Sequence, residues 1–245
     1  MEDGHRTIHP RRAAGWAMGL VAIAGSLALG APAGASLSAE SAESATSATT
    51  ELAQAQKALL GLSDMPSGWE TVKNPNNPNS TVGDAQLARC IGVTTALVSE
   101  NPPSVNSKQF QNKAGTLTVN DNVTVFPSAK NATVELGTVA NKKTPGCMTS
   151  LASGPLKQKL FGKTPKGMTY GTALVSATDP AAFPFTAGYS MSVPVVTHGV
   201  TVNITVTELF AIKGRLGQQI TFTGVGAPFS IPVEQHIAAA AVGRL

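Results

Sequence analysis

Between Tyr189 and Phe222 the large apolar side chains keep a parity that limits how this segment can pair. From Tyr189 to Val195 they stand at odd positions: Tyr189, Met191, Val193 and Val195. From Val200 to Ile212 they stand at even ones: Val200, Val202, Ile204, Val206, Phe210 and Ile212. Side chains alternate faces along a strand, so a hairpin with one buried face must match odd to even here. A two-residue turn at His198-Gly199 does so and pairs Val195 with Val202, Val193 with Ile204, Met191 with Val206 and Tyr189 with Glu208. The next strand has Leu216, Ile220 and Phe222 at even positions. Even must then match even, which predicts a three-residue loop Lys213-Gly214-Arg215 and pairs Phe210 with Gln218. Pro194 cannot donate to a ladder. It is expected where the strand around Tyr189–Val195 is a sheet edge, or where pairing breaks.

This register makes Glu208 an anomaly, a carboxylate inside an apolar row. A carboxylate on a core face needs hydrogen-bond donors or it takes up a proton. Tyr189 opposite and Gln218 diagonally across would supply them. Tyr189, Glu208 and Gln218 are therefore the candidate ligand-binding site, set against a satisfied polar cluster or a β-bulge that turns Glu208 outward.

The N-terminus has the order of a secretory signal peptide. Arg6, Arg11 and Arg12 precede an uncharged Ala/Gly/Leu-rich stretch, 13–31, and the small-x-small triplets Ala31-Pro32-Ala33 and Ala33-Gly34-Ala35. Cleavage is expected after Ala35, with an uncleaved anchor as the alternative; no cysteine is placed there for lipidation. Residues 36–50 are Ser/Ala/Thr/Glu-rich and read as a flexible tether. The leader takes three of the 18 basic and two of the 14 acidic residues, so the remainder carries a net charge of +3. Nothing pairs clustered Lys/Arg with aromatics as a nucleic-acid surface would. The two cysteines, Cys90 and Cys147, lack metal-ligand spacing and in an oxidising compartment read as a disulfide. Its closure is worth roughly 4 kcal/mol in the chain-entropy model.

Along the rest of the chain, helical spacing appears at Glu51–Leu62, from Asp84 to Val98, after Ser128 as N-cap, around Leu156–Phe161 and over Val233–Leu245. Gln109–Phe126 reads as strand with breaks near Gly115 and at Asn120-Asp121-Asn122, and Met168–Ser176 is strand-like. Asn74–Ser80 and Asp179–Pro184 read as loops. The expected fold is α+β: one antiparallel sheet with helices packed on it, a single domain over 51–245.

Chemistry-bearing motifs are few. His198 and His236 lack metal-ligand spacing. Gly188-Tyr189-Ser190-Met191-Ser192 begins like a nucleophile elbow but has Ser192 where the second glycine belongs. No glycine-rich phosphate loop occurs, and no metal or cofactor is expected. Asn79, Asn122, Asn131 and Asn203 head N-x-S/T triplets.

Asp64-Met65-Pro66-Ser67-Gly68-Trp69 after Leu59-Leu60, then Cys90, Val123-Thr124-Val125-Phe126-Pro127-Ser128-Ala129 and Pro145-Gly146-Cys147 resemble exported actinobacterial proteins related to the extracellular sensor domains of transmembrane serine/threonine kinases. Gln219-Ile220-Thr221-Phe222-Thr223 with a closing helix also looks like the Mog1/PsbP-type fold. The resemblance implies an antiparallel sheet flanked by helices and a sensing or envelope-binding role, with no catalytic residues to carry over. The expected function is a secreted or envelope non-catalytic binding module for a small or apolar ligand or envelope component. A secreted hydrolase and a protein-interaction domain are the alternatives.

Overall fold

The computed structural model describes residues 50–73, 84–93, 102–154, 166–179 and 185–245. The leader and nearly all of the tether lie outside the described residues, as do the loops 74–80 and 180–184, residues 94–98 of the expected second helix and the helix expected at Leu156–Phe161. The second helix itself ends at Ile91, short of the Val98 expected, where Gly92 takes a φ of 83°. The helices are α1 (50–58), α2 (Asp84–Ile91), α3 (Ala129–Val139), α4 (Thr144–Ser153) and α5 (Ile231–Val242). The strands are β1 (Trp69–Val72), β2 (Ser104–Asn106), β3 (Gln109–Asn112), β4 (Leu117–Val125), β5 (Met168–Tyr170), β6 (Leu174–Ala177), β7 (Ala187–Thr197), β8 (Val200–Lys213) and β9 (Leu216–Val225). They form one sheet in the order β1-β3-β4-β9-β8-β7-β5, with β2 on β4 and β6 on β7. Every pairing is antiparallel, so the α+β class expected from the sequence is the one observed.

The first hairpin has the register that parity requires: Val195↔Val202, Val193↔Ile204, Met191↔Val206 and Tyr189↔Glu208. His198 and Gly199 both take positive φ, 49° and 78°. That is the backbone of the mirror-image turn whose twist matches a hairpin. The second hairpin differs from expectation by one residue. Its loop is Gly214-Arg215, Lys213 pairs Leu216, and Phe210 faces Gln219, not Gln218. The reason lies in Leu209 and Ala211, which are buried at odd positions and meet Ile220 and Phe222 in one cluster. β8 changes its buried face along its length, and parity on a single face no longer selects the loop.

Pro194 lies beside a break in pairing and not at an outer edge. β5 pairs β7 through Val195–Thr197, β6 pairs it through Tyr189–Ser192, and Pro194 falls in the gap. There Gly171 N–H donates to Pro194 O at 2.7 Å, and a Cβ on Gly171 would stand 2.6 Å from Pro194 Cγ. The break expected at Asn120-Asp121-Asn122 does not occur, because β4 runs through it. β1 and β2 were not apparent in the pattern; each is four residues or fewer.

Directly paired residues share a sheet face. One face carries Phe110, Val119, Leu209, Ala211, Ile220 and Phe222 and is covered by α5 through Ile237, Ala238 and Ala241. α1 extends this cover, with Ala55, Ala58 and Leu59 against Val123 and Val125. The opposite face carries Met191, Val193, Val195, Ile204 and Val206, on which α4 places Ala152. α3 crosses β7, β8 and β9 on that side and is tied to α4 by Thr144 Oγ1 donating to Thr138 O at 2.8 Å. Ser128 caps α3 by accepting from Asn131 N–H at 3.1 Å. Cys90 of α2 and Cys147 of α4 are joined as a disulfide, with Cα atoms 5.8 Å apart.

Candidate functional site

Glu208 is wholly buried, at 0% exposure, on the α3–α4 face. Tyr189 Oη donates to its Oε2 from the neighbouring strand. Gln219 Nε2 donates to the same oxygen at 2.9 Å. Two of the three residues singled out in the sequence are therefore brought together, and the third is replaced. Gln218 faces the opposite side of the sheet, because the second hairpin is one residue tighter than parity suggested. The ring of Phe210 flanks Tyr189, with centroids 5.8 Å apart.

The register extends this cluster into a polar row. Glu208 pairs Thr221, and Thr221 pairs Asn120. Continuing the β3–β4 register past Phe110↔Val119 sets Gln109 opposite Asn120. Tyr189, Glu208, Thr221, Asn120 and Gln109 thus cross five strands on one face, with Thr223, Gln219 and Gln111 in the adjoining rows. Glu208, Thr221 and Gln109 are all buried. The same face is apolar at its β7–β8 end and polar at its β9–β4–β3 end.

Gln218 belongs to a second buried cluster, on the α5 face. Its Nε2 donates to Asp121 Oδ1 and Oδ2 at 3.1 and 3.2 Å and to Ala58 O at 3.4 Å. Leu60 N–H donates to Asp121 Oδ2 at 2.8 Å. Arg244 Nη1 donates to Leu59 O at 2.7 Å, and its Nη2 reaches Asp64 Oδ1 at 2.6 Å. The end of α1 is thereby tied to a central strand and to the C-terminus. Burial pushes the Asp121 carboxyl up from 3.8 to about 7; the Leu60 N–H, the Gln218 amide and the Arg244 charge oppose the rise. Glu234, in the first turn of α5, is also raised by burial to about 7, opposed by its hydrogen bond with the Thr207 side chain. Burial raises Glu135 of α3 as well.

Asp121 had a sequence signal. Leu117, Val119, Asp121, Val123 and Val125 repeat the apolar alternation with one carboxylate in the middle, the anomaly that marked Glu208. Treating Asn120-Asp121-Asn122 as a break hid it. Gln109 and Asn120 carried no such mark, since amides at strand ends and in loops are ordinary.

The remaining chemistry is sparse. No group of three or more His, Cys, Asp or Glu side chains that could hold a metal ion occurs among the described residues. His198 sits exposed in the β7–β8 turn, and Gly188–Ser192 lies within β7 without a strand-to-helix turn. No described helix is long and apolar enough to cross a membrane.

No family model matches the chain, and no curated protein does. Among solved structures it is similar to the extracellular domain of PknH from Mycobacterium tuberculosis, with 14% identity and a TM-score of 0.42 over 79% of this chain and 95% of that one.

Proposed function

We propose that this chain is an exported, sensor-like binding module without catalytic activity, and that its ligand lies on the polar end of the α3–α4 sheet face. The observation that carries the reading is the row Tyr189–Glu208–Thr221–Asn120, a line of polar side chains on a face whose other end is apolar. Polar groups cost free energy on burial unless they are paired, so a row of them is retained only where it is matched. Glu208 is fully enclosed and forms the floor of the site: it holds the Tyr189 hydroxyl and the Gln219 amide in place. The part-buried residues beside it, Asn120 and Phe210, are the ones that meet the ligand.

The leader supports export, with the first 35 residues removed and 36–50 as a tether. The disulfide fits that compartment. Catalysis is a poorer reading because His198 is exposed in the β7–β8 turn, His236 is exposed on α5, which covers the other face of the sheet, and both cysteines are bonded.

The test is native mass spectrometry of protein purified from its own host, followed by titration of the co-purifying molecule into Tyr189→Phe and Glu208→Gln. Binding in the wild type and at least tenfold weaker binding in both variants is expected. Affinity unchanged in both variants would sink this placement of the site.

A further inference from the structure

At the β3–β4 end of the polar face, two buried acceptors are not met by any group among the described residues. Gln109 is 4% exposed, yet its Oε1 has no hydrogen-bond partner among the described residues. Asn120 Oδ1, on the next strand and the same face, is also buried without one. Leaving a buried acceptor unmade costs about 1–3 kcal/mol, and native proteins carry few of them. Two side by side on neighbouring strands call for a shared donor.

The surroundings limit what that donor can be. Gln111, on the same face of β3, already donates to Gly115 O at 3.3 Å. Thr221 and Thr223 present hydroxyls from β9. Glu208 is committed to Tyr189 and Gln219. Glu70, opposite Gln111 on β1, is exposed at the rim. No Lys or Arg stands on these rows among the described residues, so they offer no counter-charge to an anion. Beside Gln109 and Asn120 the inner described residues are amides and hydroxyls, and the inner carboxylate of the row, Glu208, stands two strands from Asn120 and is held by Tyr189 and Gln219, so a neutral group fits this end better than a cation. A hydroxyl group both donates and accepts, so it answers a Gln or Asn side chain whichever way the amide is turned.

We infer that the β3–β4 end of this face is a subsite for a neutral, hydroxyl-rich ligand, a sugar or polyol, held by Gln109 and Asn120. This rests on the reading of the α3–α4 face as the binding face and adds a location and a ligand class to it.

The experiment follows the side-chain NH₂ resonances of Gln109 and Asn120 in the ¹⁵N-labelled, purified protein. Glucose, maltose and N-acetylglucosamine are the neutral probes; glucosamine and glucuronate are the charged controls. Saturable shifts with neutral probes, at least tenfold weaker with both charged ones, are expected. Gln109→Leu removes one orphan acceptor at similar volume. It should weaken sugar binding at least tenfold while leaving the melting temperature unchanged or higher, a result that a purely structural glutamine would not produce. Asn120→Ala should weaken binding likewise. The inference is overturned if no neutral sugar shifts either amide, if charged and neutral probes act alike, or if Gln109→Leu binds as the wild type does. A host molecule that binds through Tyr189 and Glu208 but ignores Gln109→Leu and Asn120→Ala overturns this subsite alone. One that ignores all four substitutions overturns the binding face as well.

Discussion

Asp121 should make this fold more stable in mild acid than in mild base. Its carboxyl lies on the α5 face at 2% exposure, and burial raises it from 3.8 to about 7. The folded protein therefore binds more protons than the unfolded chain between those values. Stability is then full below about pH 4, falls as pH rises through the window, and levels off above about pH 7. At about 1.36 kcal/mol per decade, the whole shift is worth about 4 kcal/mol, of which about 3 kcal/mol falls between pH 5 and 8. That is a large part of the roughly 5–15 kcal/mol that holds an ordinary domain together. Gln218 supplies a second reason for the direction. Its buried Oε1 has no partner among the described residues, and a protonated Asp121 can donate to it once the amide turns. Glu234 and Glu135 titrate in the same sense, so the comparison is made on a Glu234→Gln/Glu135→Gln background. Urea unfolding followed by far-ultraviolet circular dichroism from pH 5 to 8.5 should show the loss, and Asp121→Asn should flatten it. A stability that is constant or rises with pH on that background would refute the reasoning, as would an Asp121→Asn protein that keeps the slope.

Cys90→Ser/Cys147→Ser should lower the unfolding free energy by about 4 kcal/mol, the chain-entropy value for closing a loop of this length; equal urea midpoints for oxidised and doubly substituted protein would contradict it. Gly188→Ala places a Cβ 2.7 Å from Glu208 O and 2.8 Å from Leu209 Cδ2, so a loss of about 1–3 kcal/mol is expected in the same assay. Gln218→Leu takes a donor from Asp121 and should move its carboxyl titration, followed by ¹³C NMR, above about 7. Gln219→Leu, on the opposite face, should leave that titration where it is.

What could be read from the chain depended on whether a strand buries one face or two. The β7–β8 hairpin could be placed to the residue because its apolar side chains keep one parity on each strand, odd from Tyr189 to Val195 and even from Val200 to Val206. The β8–β9 hairpin could not, because Leu209 and Ala211 take over the burial from the even positions. Leu209 stood out of parity in the sequence, and it was the sign that a second layer of helix lies on the other face. The same oversight displaced the candidate site by one residue and put Gln218 where Gln219 stands. Asp121 was lost differently: three polar residues in a row look like a turn, but the ladder to β9 makes them a strand, and Leu60 N–H and the Gln218 amide, brought from far along the chain, meet the carboxylate. β1 and β2 are too short to show an alternation.

Asp121 and Glu208, the two carboxylates that interrupt apolar rows of the sheet, are met in different ways. Asp121 is met by donors whose other contacts fasten α1 to the sheet, so its cost supports the entry of the domain. Glu208 is met by Tyr189 and Gln219 from the two neighbouring strands of the same sheet. Its row continues through Thr221 to Asn120 and Gln109, where acceptors are left over. Were that row only a filler between sheet and helix, apolar residues of the same size would fill it at lower free energy. Stability alone therefore does not account for its composition, whereas the binding role proposed above would. Gln109→Leu separates the two directly, since it should relieve the fold and impair the binding.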